Sequence, residues 1–328
     1  MPRELREMYR LGVTLKYCKK PLYGIVDGGK ETVEKSLDIM EKFYGFKDKV
    51  YSTGLIATMG AMQMSTDMCE AVIAYSKRKQ ALILTSGVVI GANAPQSMAG
   101  SFILGNAMVI AGIVLSQLVN PGTPVIYCGK FASSDIRYLA PAYGGVESMT
   151  GCATSRRMAS YYNVPLQSGC SNTESKVMDY QTGAETFMNL FSAYMLDVDC
   201  LLHACGLLDS MNSLGYEKYI LDEEMNASLK HLHKGYEINE KTVMFDLMKK
   251  KGPTGQYLGR TLRTFYEDYF IPKFAIRDNH NNWIASGMPT AESLATLEWK
   301  KRLEEYTLPE MTNEQSKIIK ELIPPQYQ

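Results

Sequence analysis

The sequence predicts a parallel α/β protein, a TIM-type (β/α)8 barrel of which about six strand–helix units lie in this chain, with a helical extension at the carboxyl end. Three observations carry that prediction. Short β-branched or apolar runs alternate with helical patterns, and near-continuous apolar strands alternating with helices indicate a parallel sheet covered on both faces. The runs recur at intervals of 30 to 43 residues, a steady repeat. No glycine-rich phosphate fingerprint follows the first strand, and polar residues gather after every strand instead of at one switch point, which favours a barrel over a doubly wound sheet. Six units fall short of eight, so an open sheet is the alternative.

Each element rests on its own residues. Pro21–Val26 (PLYGIV) reads as the first strand, followed by a helix over Lys30–Phe43. Tyr51–Thr58 (YSTGLIAT) precedes a helix at Ser65–Lys77, and Ala81–Ile90 (ALILTSGVVI) precedes one at Met98–Val119. Pro124–Cys128, Val164–Ser168 and Asp199–Cys205 are the next strands, with helices at Gly145–Tyr162, Gln181–Asp197 and Tyr216–His231. Met98–Val119 is long enough to span a bilayer. It also carries Ser101, Asn106, Ser116 and Gln117 and has no adjacent basic flank, so it is expected to be a helix buried in a large α/β core. Residues 1–231 form the predicted barrel domain. Residues 232–328, rich in Lys and Glu, form the extension, with helices near Ala291–Tyr306 and Asn313–Leu322 and a loop at Asn279–Gly287.

Composition narrows the function. Thirty-five basic residues balance 35 acidic ones, so no basic field recruits nucleic acid or a membrane surface. Seven scattered cysteines and a charged amino terminus without an apolar core suit a reducing, cytoplasmic location. There is no GxxxxGK[ST], CxxC or HExxH, so ATP and zinc readings lose their usual support, and no metal site is expected.

In a parallel barrel the chemistry sits on loops at the carboxyl ends of the strands. Those loops supply Asn93 and Gln96 after the third strand, Lys130, Phe131, Asp135 and Tyr138 after the fourth, and Asn172, Glu174, Lys176 and Asp179 after the fifth. His203 and Cys205, two apart at the sixth, are expected to face the same side. His203 reads either as a pocket residue or as a core histidine, Cys205 as an inert buried thiol. Tyr23, Tyr51, Tyr127, Phe131, Tyr138 and Tyr143 near strand ends offer an aromatic cage for a quaternary ammonium, or ordinary packing. Lys176 can hold a substrate carboxylate, or can merely pair with Asp179 at a helix start.

Longer strings then become recognisable. APQSMAGSFILGNAMVIAGIVLSQLVNPGTPVIYCG (Ala94–Gly129) resembles the trimethylamine methyltransferase family, as does SNTESKVMDYQTGAE (Ser171–Glu185). LLHACGLLDSMNSLGYEKYILDEEM (Leu201–Met225) and GPTGQYLGRTLRTFYEDYF (Gly252–Phe270) follow in matching order. The resemblance implies a (β/α)8 barrel that hands a methyl group from a methylated amine to Co(I) of a separate corrinoid-binding protein, with no tightly bound cofactor. It further implies that the first two barrel units of the family lie outside this chain. Pyrrolysine, which the trimethylamine enzymes carry, is not among the residues here, so the resemblance points to quaternary amines such as glycine betaine. On this reading Glu174, Lys176, Asp179 and His203 are the candidate catalytic residues. Asn93, Gln96, Tyr127, Phe131, Asp135 and Asn172 are the candidate substrate contacts. A homo-oligomer is expected. The alternatives are a trimethylamine-specific enzyme, a non-catalytic truncated homologue, and a Schiff-base lyase using Lys176 or Lys130.

Overall fold

A computed structural model describes residues 3–25, 29–46, 48–58, 60, 62–129, 131–138, 140–253, 255–257 and 268–327. Val26 at the end of the first expected strand, the candidate Lys130, and residues 254 and 258–267 of the run 252–270 lie outside the described residues.

Six short parallel strands run through the body in sequence order. β1 (Leu22–Ile25), β2 (Ser52–Thr58), β3 (Ala81–Ser86) and β5 (Val125–Cys128) form one four-stranded parallel sheet. Leu22 lies opposite Ser52, Thr53 opposite Ala81, and Leu82 opposite Val125. A parallel bridge from Tyr127 to Leu166 carries the order on to β8 (Gln167–Ser168), which pairs in parallel with β9 (Cys200–Leu201). β3 is buried at all six positions, as a central strand covered on both faces must be, whereas β2 alternates buried and half-buried residues.

The helices fall where the apolar periodicity places them. α2 (Lys30–Tyr44), α3 (Thr66–Lys77), α4 (Met98–Val119), α5 (Val146–Tyr162), α6 (Tyr180–Met195) and α7 (Tyr216–Lys234) follow the successive strands. Their amino ends explain the boundaries: the Ser65, Ser97 and Asp179 side chains accept from the backbone N–H groups of Met68, Gly100 and Thr182. α1 (Arg3–Tyr17), where the sequence suggested only a charged terminus, buries Leu11 and Leu15 in the core shared by Val33, Leu37, Val72 and Leu82.

Several expectations are corrected. The strand expected over Ala81–Ile90 breaks after Ser86, where the Gly87 N–H turns to donate to the Thr58 carbonyl at 2.8 Å. Its remainder, β4 (Val89–Ile90), leaves the sheet and joins β6 (Ala132–Asp135) and β7 (Ala140–Ala142) in a three-stranded cap built from the loops after β3 and β5. The last strand stops at Leu201, because His203 adopts a left-handed backbone with φ 56°. The alternation argument that put His203 and Cys205 on one face therefore does not apply. Beyond it, β10 (Leu207–Leu208) and β11 (Ser213–Leu214) form a small antiparallel pair.

α4 is the largest correction. It lies in the outer layer, and only 28% of its most apolar 18-residue window is buried. Ser101, Gly105, Met108, Val109, Gly112 and Ser116 face inward, while Ile103, Val114 and Leu118 are exposed. It is the one helix among the described residues long and apolar enough to cross a membrane.

The tail adds α8 (Glu240–Val243), α9 (Phe245–Lys251), α10 (His280–Ala285), α11 (Ala291–Glu304) and α12 (Asn313–Leu322). α10 replaces the loop expected at Asn279–Gly287, with Asn279 as its cap. α11 packs on α7 through Ala295, Ile220 and Phe274, and Ile319 and Leu322 of α12 join the α1 side of the core. The Glu224 carboxylate accepts three successive backbone N–H groups, Lys273, Phe274 at 2.9 Å and Ala275 at 3.1 Å, and so pins the returning chain to α7.

Gly105 is where α4 comes closest to the cap. A Cβ there would stand 2.4 Å from the Phe131 ring and 3.0 Å from Ser86 Oγ. Gly105→Ala is expected to lose ~1–3 kcal/mol to overpacking, more than the ~1 kcal/mol that Ala gains over Gly in a helix. The urea midpoint should fall. A midpoint that rises would mean that Phe131 moves aside freely.

Candidate functional site

The loops leaving β3, β5, β8 and β9 converge over the carboxyl ends of the strands, and hydrogen bonds zip them together. Ser171 N–H donates to the His203 carbonyl at 2.8 Å, Asp209 N–H to Ser175 at 2.9 Å, and Ser210 N–H to Thr173 at 2.9 Å. The loop after β8 is thus laid along the loop after β9. Between the ends of β5 and β8 a small cavity of about 20 Å³ is lined by Gly129, Phe131, Tyr143, Ser148, Ser168 and Asn189 among others.

Glu174 crosses between these loops. Its carboxylate accepts the Tyr143 N–H at 2.6 Å, the Gly144 N–H at 3.0 Å and, weakly, the Ser210 hydroxyl at 3.4 Å. Glu185 stands beside it, accepting the Thr173 hydroxyl at 2.6 Å and the Glu174 N–H at 2.9 Å. A Cβ on Gly144 would lie 2.8 Å from Glu174 Oε2 and 2.6 Å from Glu185 Oε2, so only glycine fits between the two carboxylates. Burial pushes the Glu174 carboxyl above its ordinary value, the Gly144 N–H pulls it back, and Glu185 pushes it up again.

The other candidates are distributed unequally. Lys176 pairs with Asp209 at 3.2 Å and with the Glu174 carbonyl at 2.6 Å, not with Asp179. Asp179 caps α6, accepting the Thr182 N–H at 2.9 Å, and that bond lowers its pKa. Asn93 closes the turn after β3, accepting from Val89 N–H and donating to the Gly87 carbonyl, both at 2.8 Å. Gln96 is exposed at the approach to α4. Asp135 holds Arg137 in an exposed pair on the cap hairpin, which brings its pKa down to about 2. Tyr127 is wholly buried and its hydroxyl donates to Asn106 Oδ1 of α4 at 3.0 Å, while Phe131 packs edge-on against Phe102. These two aromatics are engaged in packing, and no cage forms around them. His203 is half-buried in the bend after β9, and burial pushes the Cys205 thiol up to about 11.

Asn172 differs from all of these. It is 0% exposed, and neither its amide oxygen nor its amide nitrogen has a hydrogen-bond partner among the described residues. Ser86 Oγ at the end of β3 and Gln167 Oε1 on β8 are likewise buried without partners. Buried polar atoms are nearly always paired in native proteins, and these exceptions lie on β3, on β8 and in the loop after β8.

Residue-type reasoning missed one group entirely. Lys218 on α7 is 0% exposed and Asp222, one turn on, is 3% exposed. The ammonium donates to Asp222 Oδ2 at 2.6 Å, to the Ser171 carbonyl at 2.9 Å and to Thr186 Oγ1 at 3.0 Å. Asp222 Oδ2 also accepts the Gly206 N–H at 2.8 Å. Burial pushes the lysine down and the aspartate up, and their mutual attraction opposes both shifts. In sequence the pair looks like any i, i+4 surface pair, and only the apolar Ile220 and Leu221 around it hint otherwise.

Parallel strands in sequential order, each followed by a helix, define a parallel α/β protein. The chain belongs to the trimethylamine methyltransferase family, whose sequence model, trimethylamine methyltransferase (MTTB), matches residues 1–326. It is 33% identical to the glycine betaine methyltransferase of Desulfitobacterium hafniense (strain Y51) over 96% of this chain and 66% of that protein. It is 31% identical to the proline betaine:corrinoid methyltransferase of Eubacterium limosum, over 96% of this chain and 67% of the relative. With the trimethylamine methyltransferase of Methanosarcina barkeri (strain Fusaro / DSM 804) identity drops to 24%, over 84% of this chain and 56% of the relative. The chain therefore spans about two thirds of the length of its betaine relatives.

The raised Glu174 pKa has a definite sign. The folded state holds this proton more tightly than the unfolded chain, so its contribution to stability is fullest below the ordinary Glu value of 4.5 and is lost as pH rises through the raised folded value. Glu174→Gln keeps an acceptor for the Tyr143 and Gly144 N–H groups and removes the charge. The variant should gain urea resistance relative to wild type between pH 4 and pH 7. A relative loss over that interval would contradict the sign.

Proposed function

We propose that this protein transfers a methyl group from a quaternary methylated amine to the Co(I) of a corrinoid carried by a second protein. The observation that carries the reading is the betaine-enzyme likeness over 96% of the chain, coupled with a site built from amides and hydrogen-bonded carboxyls. The corrinoid enters as the methyl acceptor, a substrate brought by its carrier. Its Co(I) electron pair forms the new bond to the methyl carbon as the C–N bond breaks, and the C–N bonding pair leaves with the nitrogen. A quaternary nitrogen departs as a neutral amine, so no proton has to be delivered and no special residue has to activate it. The protein's share is to orient the substrate and exclude water.

Within that reading Asn172 meets a polar group of the substrate, and the half-buried Glu174–Glu185 pair places negative charge near the cation. His203, in the bend after β9, is held at the mouth as a further contact. Lys176, ion-paired and with a side chain 69% exposed, is not the desolvated amine that Schiff-base chemistry needs. The zipped loops support a working site over a non-catalytic remnant.

The same reading places the six strands in a (β/α)8 barrel spanning residues 1–231, with residues 232–328 as its extension. Sequential strand order supports it. Seven free cysteines favour a reducing, cytoplasmic location, and the exposed apolar stripe of α4 favours self-association.

The test mixes the protein with a Co(I) corrinoid, free or carrier-bound, and a panel of methylated amines while the Co(I) absorbance is followed. Turnover with glycine betaine or a similar quaternary amine, and none with trimethylamine, is the expected result. Turnover with trimethylamine alone overturns the substrate assignment, and none with any amine overturns the activity.

A further inference from the structure

We propose that Lys218 and Asp222 are positioning residues for this reaction: they clamp the loops after β8 and β9 together and so preset the Asn172 amide for the substrate. The inference rests on the methyl-transfer reading for its chemistry, and on the geometry for everything else.

Lys218 Nζ has three acceptors, Asp222 Oδ2, the Ser171 carbonyl and Thr186 Oγ1. One belongs to its own helix, one to the residue immediately before Asn172, and one to α6. Asp222 extends the clamp to Gly206, in the loop after β9. Above this anchor the Ser171 N–H is tied to the His203 carbonyl and the Thr173 carbonyl to the Ser210 N–H. Asn172 is thus fixed on both sides by its neighbours while its own side chain makes no hydrogen bond among the described residues. A residue held through its flanks, with donor and acceptor both uncommitted and sealed from water, suits a ligand with one accepting and one polarised end. The carboxylate-bearing quaternary amine, a zwitterion, has that character.

A purely structural clamp and a positioning clamp differ in what they change. Exchanging a buried ion pair for apolar residues of similar volume commonly preserves stability, so the variant to make is Lys218→Met with Asp222→Leu in the full chain. Its thermal midpoint should fall less than that of either single variant, which strands a buried charge, whereas the KM for glycine betaine should rise about tenfold, the loss of one well-made hydrogen bond. Asn172→Ala should raise KM by a similar factor. Combining all three substitutions should add little, because they act through one contact. Amide hydrogen exchange should speed up at Ser171 and Gly206 in the paired variant while β3 keeps its protection.

A folded paired variant with wild-type KM and wild-type protection at Ser171 overturns the proposal, as do additive effects of the pair and Asn172→Ala. If the wild type turns over no methylated amine, the methyl-transfer reading fails by itself, and the exchange pattern still decides whether the pair holds the loop. Should the paired variant fail to fold, Thr186→Val, which removes one acceptor and leaves the ion pair in place, gives the same two outcomes by exchange and KM.

Discussion

A lysine ammonium sealed from water must find its acceptors inside the protein, and Lys218 does so by drawing three separate segments to one point. Removing one partner of such a buried pair leaves an uncompensated charge and costs ~3–5 kcal/mol, a large share of a domain's net stability. The acceptors therefore cannot drift. Ser171, Thr186 and Asp222 are fixed relative to α7, and with them the loop that carries Asn172 and Glu174. Asp222 then fixes Gly206, whose φ of 85° suits a glycine at the turn between β9 and β10. The loops after β8 and β9 inherit their relative placement from this one contact.

Glu174 works the same way one layer higher. Its lone pairs are occupied by the Tyr143 and Gly144 N–H groups, which bind the cap hairpin to the loop after β8. Glu185 secures the other side through the Thr173 hydroxyl and the Glu174 N–H. Two carboxylates this near one another resist joint ionisation, and their surroundings answer with backbone N–H and hydroxyl donors. The site remains acidic in character without a net field, in keeping with a chain of zero formal charge.

Strand order and helix positions were legible in the sequence because each rests on an apolar run or a local cap, and both are properties of contiguous residues. Met98–Val119 could be placed from its apolar run alone, and of the strand expected over Ala81–Ile90 the start but not the end. What the sequence hid depends on residues far apart. The register of the apolar stripe says nothing about which face of α4 meets the sheet; two inward glycines, Gly105 and Gly112, decide it. The positive φ of His203, which ends β9 early, has no signature in a histidine. Among the candidate site residues, Asn93, Tyr127 and Asp179 drew notice for polar or aromatic chemistry that the fold uses for turns, packing and caps. Lys218 was passed over because charged residues four apart on a helix ordinarily face solvent. Asn172 was singled out only as one amide among several, and its distinction is burial without a partner, which no string of letters records.

That distinction has a cost and a consequence. An unsatisfied buried donor or acceptor costs ~1–3 kcal/mol, and Asn172 carries one of each. The fold tolerates the cost because the flanking residues are over-determined: Ser171 and Thr173 are each fixed by backbone bonds to the loop after β9, and Ser171 also by Lys218. An amide oriented in advance, in a place that water does not reach, spends nothing on reorganisation when a polar ligand arrives. For a methyl transfer in which no proton moves, orientation is most of what a protein can contribute. On the proposed methyl transfer, rigidity in the loop after β8 is then the property on which the reaction would depend, and the buried Lys218–Asp222 pair beneath it is what ties that loop down.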